Sequence, residues 1–373
     1  MLRTITTGES HGQYMAAILE GMPSGLDVDL DFINSELARR QQGYGRGGRQ
    51  LIEKDRVELV GGVVRQKTTG APIGFLLRNR DFKIREMPDV FHPRPGHADL
   101  AGALKYDQNI RPVLERASAR ETVMRVAVGA LCKLFLCEFD IEIASHVVQI
   151  GGVCVPDKED LAIDDIRKLT KKSSVNCISR KAEKEMMKAI DAARRQGDTC
   201  GGKFEVRVSG VPIGLGSYVH FERKLDGRLA QVLMSLQTVK AVEIGRGTEL
   251  AGLSGSAAHD EIFHDKKRGF YHKTNRAGGL EGGVTNGADL IVRATMKPIS
   301  TLGQPLMSVN MKTRVAEQAH YERSDICAVP AGSVIGESLV ATVITDAMLE
   351  KFGGDSLGEI VRNYEGYLTQ IYE

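Results

Sequence analysis

The sequence predicts an α+β fold in a single domain, on three observations. Stretches that alternate with strand period, such as Phe204, Val206 and Val208, are interspersed with stretches at helical spacing, such as Leu229, Val232, Leu233 and Leu236. No linker-like composition divides residues 1–373. Gly210-Val-Pro-Ile-Gly-Leu215 echoes Gly21-Met-Pro-Ser-Gly-Leu26, and a helical stretch follows each, which points to two similar halves.

Composition bounds the function classes. Hydrophobic residues make up 42% of the chain, enough for a substantial core, and the net charge of +2 gives no global field for nucleic acid or membrane. The 41 glycines call for many tight turns. Six cysteines (132, 137, 154, 177, 200, 327) form no C-x-x-C pair and read as reduced, mostly buried thiols of a cytoplasmic protein. No His/Cys cluster has zinc spacing. No N-terminal stretch has signal-peptide form, and no apolar run approaches the ~20 residues that span a bilayer.

In order, Leu2 to Thr6 reads as a strand running into the turn Gly8-Glu-Ser-His-Gly12, which holds Ser10 and His11 on irregular backbone. Asp31 is placed to cap a helix with Ile33 and Leu37 on one face. That helix ends at Gly43, with Arg39 and Arg40 in its last turn. Arg56 to Val64 and Ala71 to Leu77 read as a strand pair. The two prolines of His92-Pro-Arg-Pro-Gly-His-Ala-Asp99 give Arg94 and His97 a rigid support, unless this is a plain turn.

Glu115 to Leu134 reads as one strong helix, with Ser118 and Glu121 as a capping box and Val123, Val126, Ala127, Ala130 and Leu131 at helical spacing. Arg116 and Arg120 sit at its N-terminal end, where the dipole disfavours cations. Either an anion binds between them or both pair with carboxylates. Ile141 to Val155 reads as strand, and Asp160 to Lys171 and Lys181 to Gln196 as surface helices. A second helix, Arg228 to Val239, follows the echo. Asn275 to Gly287 has five glycines in thirteen residues, the mark of a loop that is disordered or wrapped on a ligand. Leu290 to Met296 is a strand, and Ala331 to Phe352 a long apolar helix closing at Gly353.

The stretch Arg39 to Arg49 sets four arginines among four glycines. Arginine offers a permanent charge and a fork of donors that fits phosphate and carboxylate. Gly43, Gly45 and Gly48 match G-x-G-x-x-G, but a helix precedes them where a dinucleotide fold needs a strand. Arg46-Gly47-Gly48 also resembles one unit of an RNA-binding segment, although those repeat. With so small a net charge, the cluster favours a small anion, and a solvated loop is the plain alternative.

Eight ordered segments together resemble the chorismate synthase family. They are Gly8-Glu-Ser-His-Gly12, Arg39 to Arg49, Arg94-Pro-Gly-His-Ala-Asp99, Glu115 to Leu131, Met234 to Gly245, Gly278 to Gly287, Lys297 to Thr301 and Arg323-Ser-Asp325. The resemblance implies a β-α-β sandwich of two intertwined, related subdomains with helices outside, usually assembled as a homotetramer. It implies loss of phosphate from 5-enolpyruvylshikimate 3-phosphate by anti-1,4-elimination to give chorismate, in the shikimate pathway of aromatic amino acid biosynthesis. Reduced FMN is required without net redox change.

The resemblance also assigns residues. His11 is the proton donor to the leaving phosphate, His97 stands near the N1 side of the flavin and Asp325 near its N5. Ser10, Arg40, Arg46, Arg49, Arg94, Arg120 and Arg323 line the substrate pocket. Arg116, Ala117, Ser118, Gln237, Thr238, Gly282, Lys297, Pro298, Ile299, Ser300, Thr301 and Arg323 hold FMN. Family descriptions tie Arg40 and Arg46 to NADP as well, although substrate binding already accounts for them. With no second nucleotide motif, the chain reads as monofunctional, dependent on an external source of reduced flavin. An RNA binder and a flavin reductase that turns over NADPH are the alternatives from other classes.

Overall fold

The structure is a computed structural model that describes residues 1–156, 161–266 and 269–372. The strands of the first half are β1 Arg3–Thr7, β2 Tyr14–Glu20, β3 Glu58–Gly61, β4 Val63–Val64, β5 Lys67–Thr68 and β6 Ile73–Arg78. The second half holds β7 Glu142–Ile150, β8 Val153–Cys154, β9 Gly202–Ser209, β10 Val239–Ile244, β11 Ile262–Asp265 and β12 Gly269–His272. It continues with β13 Leu280–Glu281, β14 Val284–Thr285, β15 Leu290–Met296, β16 Met307–Val309 and β17 Ala316–Gln318. The helices are α1 Leu30–Gln41, α2 Arg49–Ile52, α3 Asp99–Tyr106, α4 Ile110–Ala117, α5 Thr122–Cys137 and α6 Ile163–Thr170. After them come α7 Arg180–Arg195, α8 Leu225–Met234, α9 Gly255–Ala258, α10 Val329–Phe352 and α11 Leu357–Tyr372.

Two antiparallel sheets carry the fold, in the orders β1-β2-β6-β3 and β10-β15-β9-β7-β8. In each, a first strand (β1 or β7) pairs with a second (β2 or β9), which pairs with β6 or β15, which pairs with β3 or β10. The echoed segments occupy matching places. The Thr68 hydroxyl accepts from Leu26 N at 2.9 Å and donates to Pro23 O at 2.6 Å. The Thr285 hydroxyl accepts from Leu215 N at 2.8 Å and donates to Pro212 O at 2.6 Å. Both threonines end the second strand of a two-residue hairpin.

The main helices lie between the sheets, which corrects the expectation of helices outside. Both α5 and α10 are apolar nearly all round, and such a helix needs cover on every side. α10 packs on β7 and β9, and α5 packs on α10 and on β2 of the other sheet. Gly129 lets α5 approach α10: a Cβ there would lie 2.4 Å from the Ser338 Cβ. α10 is also long and apolar enough to cross a bilayer, so the sequence holds a longer apolar run than expected. It is instead core, and it carries a buried charge. Glu337 accepts from Arg39 Nη2 at 2.8 Å, from Lys133 Nζ at 2.5 Å and from Ser145 N at 3.0 Å. α6 packs on β7 and β9 of the second sheet through Ile163 and Ile166.

Several local expectations change. Asp29, not Asp31, caps α1, accepting from Phe32 N at 2.9 Å. Tyr14–Glu20 forms a strand, β2, between the Ser-His turn and the first echo segment. The helix expected over 115–134 is broken: Ser118 is extended, α4 ends before it and α5 begins at Thr122. The capping box does not form, because Glu121 accepts from Thr6 and Arg125 instead. Arg116 therefore lies in the last turn of α4, where a cation is favoured. Asp160, expected to begin a helix, lies outside the described residues.

Candidate active site

One cavity of about 790 Å³ opens where the arginine loop, the Ser-His turn, the α4–α5 break and residues 321–325 meet. The Ser-His turn is held from three sides. Ser10 N donates to Glu115 O at 3.0 Å. The buried Asn79 amide donates to Gly12 O at 2.7 Å and to Ser10 O at 3.3 Å. Arg49 Nη1 donates to the Ser10 hydroxyl at 2.6 Å. The break in the helix presents the Ser118 hydroxyl, which donates to Ser10 Oγ at 3.1 Å.

The arginine loop lies flat against the strap that carries Asp325. Gly45 O accepts from Ile326 N at 2.7 Å, and Gly47 N donates to Asp325 Oδ1 at 2.6 Å. Side chains would prevent this. A Cβ at Gly45, whose φ is +89°, would sit 3.2 Å from the Cys327 Cβ, and one at Gly47 would sit 2.9 Å from Ser324 O. Arg46 completes the link with an ion pair to Asp325 at 2.9 Å.

Eight Arg and Lys side chains line the cavity, against three carboxylates. They are Arg40, Arg46, Arg49, Lys83, Arg94, Arg120, Lys297 and Arg323. Asp55 lies behind the wall and pairs with Arg40 at 3.3 Å and with Arg120 at 2.7 Å. Arg120 Nε also donates to Asn79 Oδ1 at 2.9 Å. Burial, only partly offset by Asp55 and reinforced by Arg120 and Arg46, pushes Arg40 down to about 9. Burial and the Arg120 charge likewise hold Arg49 below the ordinary arginine range. Arg46 Nε, Arg49 Nε and Arg120 Nη2 are buried donors with no hydrogen-bond partner. Buried donors are nearly always satisfied, so a crowded cationic wall with three orphaned N–H groups is built for an anion.

Both histidines expected in the site face the cavity, each with a buried carboxylate on Nδ1. His11 Nδ1 lies 3.0 Å from both oxygens of Glu115, and its Nε2 lies 3.4 Å from Arg49 Nη1. His97 Nδ1 lies 2.5 Å from Asp99 Oδ1. Burial alone would raise Glu115, but hydrogen bonds from His11 and the Arg111 charge outweigh it and hold the carboxyl below its usual range. Asp99 is likewise held low, hydrogen bonds from His97 and Arg94 overcoming its burial.

Of the expected flavin contacts, Ala117, Ser118, Gln237, Thr238, Lys297, Ile299, Ser300, Thr301 and Arg323 line the same cavity. Gln237 Oε1 and Thr238 Oγ1 are buried there without a partner, and Thr238 has a φ of +72°. Two orphaned acceptors beside a cationic wall fit a ligand with both amide-like and phosphate groups, as a flavin nucleotide has. Three expected contacts are not brought in. Arg116 donates to the Thr6 and Gly8 carbonyls, Pro298 lies outside the lining, and Gly282 sits on the β13–β14 hairpin beside Tyr218. The glycine loop is ordered by Asn275, which donates to Asp289 O at 2.8 Å and accepts from Gly279 N at 2.7 Å. Arg39, the first arginine of the cluster, lies outside the cavity lining and pairs with Glu337 while its side chain stays partly exposed.

Sequence reasoning missed Asn79, Asp55, Lys83 and Asp81. Asp81 Oδ2 is buried without a hydrogen-bond partner, 3.9 Å from His11 Nε2 and 3.8 Å from Arg323 Nη2. The one available signal was an Asn-Arg-Asp run of polar residues directly after an apolar strand.

Comparison with known proteins gives one family. The family model described as "Chorismate synthase" matches residues 2–349. A chorismate synthase of Desulforamulus reducens is 52% identical over 387 residues, covering 100% of both chains. One from Geobacter sulfurreducens is 49% identical over 391 residues, covering 100% of this chain and 99% of its own. A crystal structure of chorismate synthase superposes with a TM-score of 0.83 at 40% identity, covering 100% of this chain and 98% of that one.

Proposed function

This chain belongs to the chorismate synthase family, and from that premise we propose that it forms chorismate from 5-enolpyruvylshikimate 3-phosphate by anti-1,4-elimination of phosphate, with reduced FMN as cofactor. The observation that carries the reading is the set of orphaned arginine donors in one cavity. The substrate brings a phosphate and two carboxylates, and Arg46, Arg49, Arg94, Arg120 and Arg323 with Ser10 bind and orient them. Arg40, behind them, holds the wall together through Asp55 and Thr122.

Ala117, Ser118, Gln237, Thr238, Lys297, Ile299, Ser300, Thr301 and Arg323 would hold FMN. When bound, reduced FMN supplies electron density to the substrate and recovers it, so no net redox change results. His11 Nε2 gives a proton to the departing phosphate, which leaves with the C–O electron pair. Asp325, fixed by Arg46 and Gly47 N, takes up a proton at its carboxylate as the ring hydrogen is lost. His97, steered by Asp99, would stand near the N1 side of the flavin.

The same reading extends to the whole chain. One hydrophobic cluster includes residues from both sheets, which supports a single domain of two related, intertwined subdomains with the helix layer inside. Ile5, Ile18 and Val60 leave the outer face of the first sheet apolar and about half exposed or more, which supports assembly as a homotetramer. Six free cysteines support a cytoplasmic setting. Three of them are buried, while Cys137 and Cys154 are exposed.

The test is anaerobic: protein, substrate and chemically reduced FMN are mixed and phosphate release is followed. Release that requires reduced FMN is expected. Release at the same rate without flavin, or none with it, would overturn the reading.

A further inference from the structure

His11 is bracketed by charge on both ring nitrogens. Glu115, nearly fully buried at the end of α4, offers both oxygens to Nδ1 at 3.0 Å, and its Oε2 also accepts from the His11 backbone N at 2.7 Å. A carboxylate in this position accepts only, so the proton between them belongs to Nδ1. Nε2 is thereby left facing the cavity, toward Arg49 at 3.4 Å and Asp81 at 3.9 Å. Glu115 is itself held by Arg111, whose Nη1 lies 3.5 Å away and also pairs with Glu322 at 2.8 Å.

We propose that Glu115 is a positioning residue that makes His11 a directional proton donor: it keeps a proton on Nδ1, so that Nε2 is the nitrogen that gives and regains the transferred proton. The proposal rests on the reading of His11 as the acid of this site. In the step, the Nε2–H bond breaks and an O–H bond forms on the departing phosphate, which takes the C–O electron pair. The imidazole is then neutral with its proton on Nδ1 against Glu115, and water returns a proton to Nε2 after phosphate leaves. Asp81, whose Oδ2 has no hydrogen-bond partner, is the counter-charge facing Nε2 between turnovers.

The groups that set this balance come from every element around the ring. Glu115 and Asp81 favour the charged imidazole. Arg49 beside Nε2, Lys83 at 3.4 Å from Asp81, Arg323 and Arg111 oppose it. Removing the Glu115 charge therefore removes the acceptor-only group that fixes the proton on Nδ1.

The experiment uses Glu115→Gln, whose amide oxygen can still accept from Nδ1–H while the charge is gone. Imidazole ¹⁵N spectra are followed against pH without ligands, the His11 signal being assigned by its loss in His11→Ala. In the wild type the neutral form should carry its proton on Nδ1. In Glu115→Gln, whose amide can equally turn its NH2 group to the ring, the neutral form should lose that preference and carry its proton partly on Nε2. Turnover should fall at least about tenfold, with FMN binding within about threefold. An Nε2–H neutral form in the wild type, or an unchanged tautomer in Glu115→Gln, would show that Glu115 only braces the turn. A changed tautomer with full turnover in His11→Ala would retain the pairing but remove the acid, overturning the proposal through the reading it rests on. Should Glu115→Gln not fold, Glu115→Asp carries the test. Its retained carboxylate must keep the neutral form protonated on Nδ1, and an Nε2–H neutral form would overturn the proposal.

Discussion

Arg46 pairs with Asp325 at 2.9 Å, so the loop that supplies the anion-binding arginines is tied to the strap that supplies a carboxylate to the same cavity. Gly47 N adds a second bond to that carboxylate at 2.6 Å. The binding wall and the proton-handling groups are therefore one assembly, and a change in either is felt in the other.

Arg49 is the arginine with the most direct hold on the site, through the Ser10 hydroxyl and a buried orphaned Nε. Arg49→Ala should raise the substrate dissociation constant. One charge-assisted contact is worth about 1.5–3 kcal/mol, or roughly 10- to 150-fold. Calorimetric titration of the folded variant checks this, and a change below about threefold would mean the side chain is merely solvated.

His11→Ala and His97→Ala should each slow turnover by about 10²–10⁴-fold, the usual contribution of a positioned acid or base. FMN binding should hardly change, since Gln237, Thr238, Lys297, Ile299, Ser300 and Thr301 remain. Stopped-flow turnover beside a flavin fluorescence titration separates the two. Wild-type rates in His11→Ala would mean the phosphate leaves unaided.

Acid should loosen the helix layer before neutral pH does. Glu337 is fully buried, and Arg39 and Lys133 overcome the burial penalty and hold its carboxyl well below the usual 4.5. A depressed carboxyl stabilises the fold fully above its unfolded value. That contribution is lost as pH falls through the folded one, so the loss begins below about pH 4.5. Glu337→Gln leaves Arg39 and Lys133 sharing Glu36 and should cost about 1.5–3 kcal/mol, with part of the acid dependence removed. Thermal melts of both proteins from neutral pH downward test this, and a variant as stable as wild type would show that the cluster contributes nothing.

NADPH should not serve as the reductant. The arginines that NADP could use, Arg40 and Arg46, are engaged with Asp55 and Asp325 and lie in the substrate wall. Supplied anaerobically with NADPH and oxidised FMN, the protein should make no chorismate, and photoreduced FMN should restore it. Sustained product with NADPH alone, in protein free of reductase, would return Arg40 and Arg46 to the nucleotide.

What the sequence made legible follows from the range of each interaction. The arginine–glycine loop and the Pro-stiffened Arg94–His97 segment declare themselves locally, and both reached the cavity. The Gly-x-Pro-x-Gly-Leu echo marked a repeated hydrogen-bond pattern, but the two threonines that complete it lie far along the chain. β2 escaped because Tyr14, Ala16 and Ile18 are as apolar as the inward Met15, Ala17 and Leu19, so no alternation shows. The cap of α1 was misplaced among three aspartates spaced two apart, of which only Asp29 meets an amide in the right place. Which carboxylate answers which arginine was out of reach. Asp55 joins Arg40 to Arg120, and Glu115 meets His11, only because distant segments pack together.

The central claim is an elimination in this cavity that needs reduced flavin yet consumes none. The direct measurement is anaerobic turnover of excess substrate with photoreduced FMN, recording chorismate, phosphate and the flavin spectrum together. Chorismate and phosphate should appear in equal amounts over many turnovers, with the flavin still reduced at the end. Flavin oxidised in proportion to product, or phosphate released without chorismate, would contradict the account.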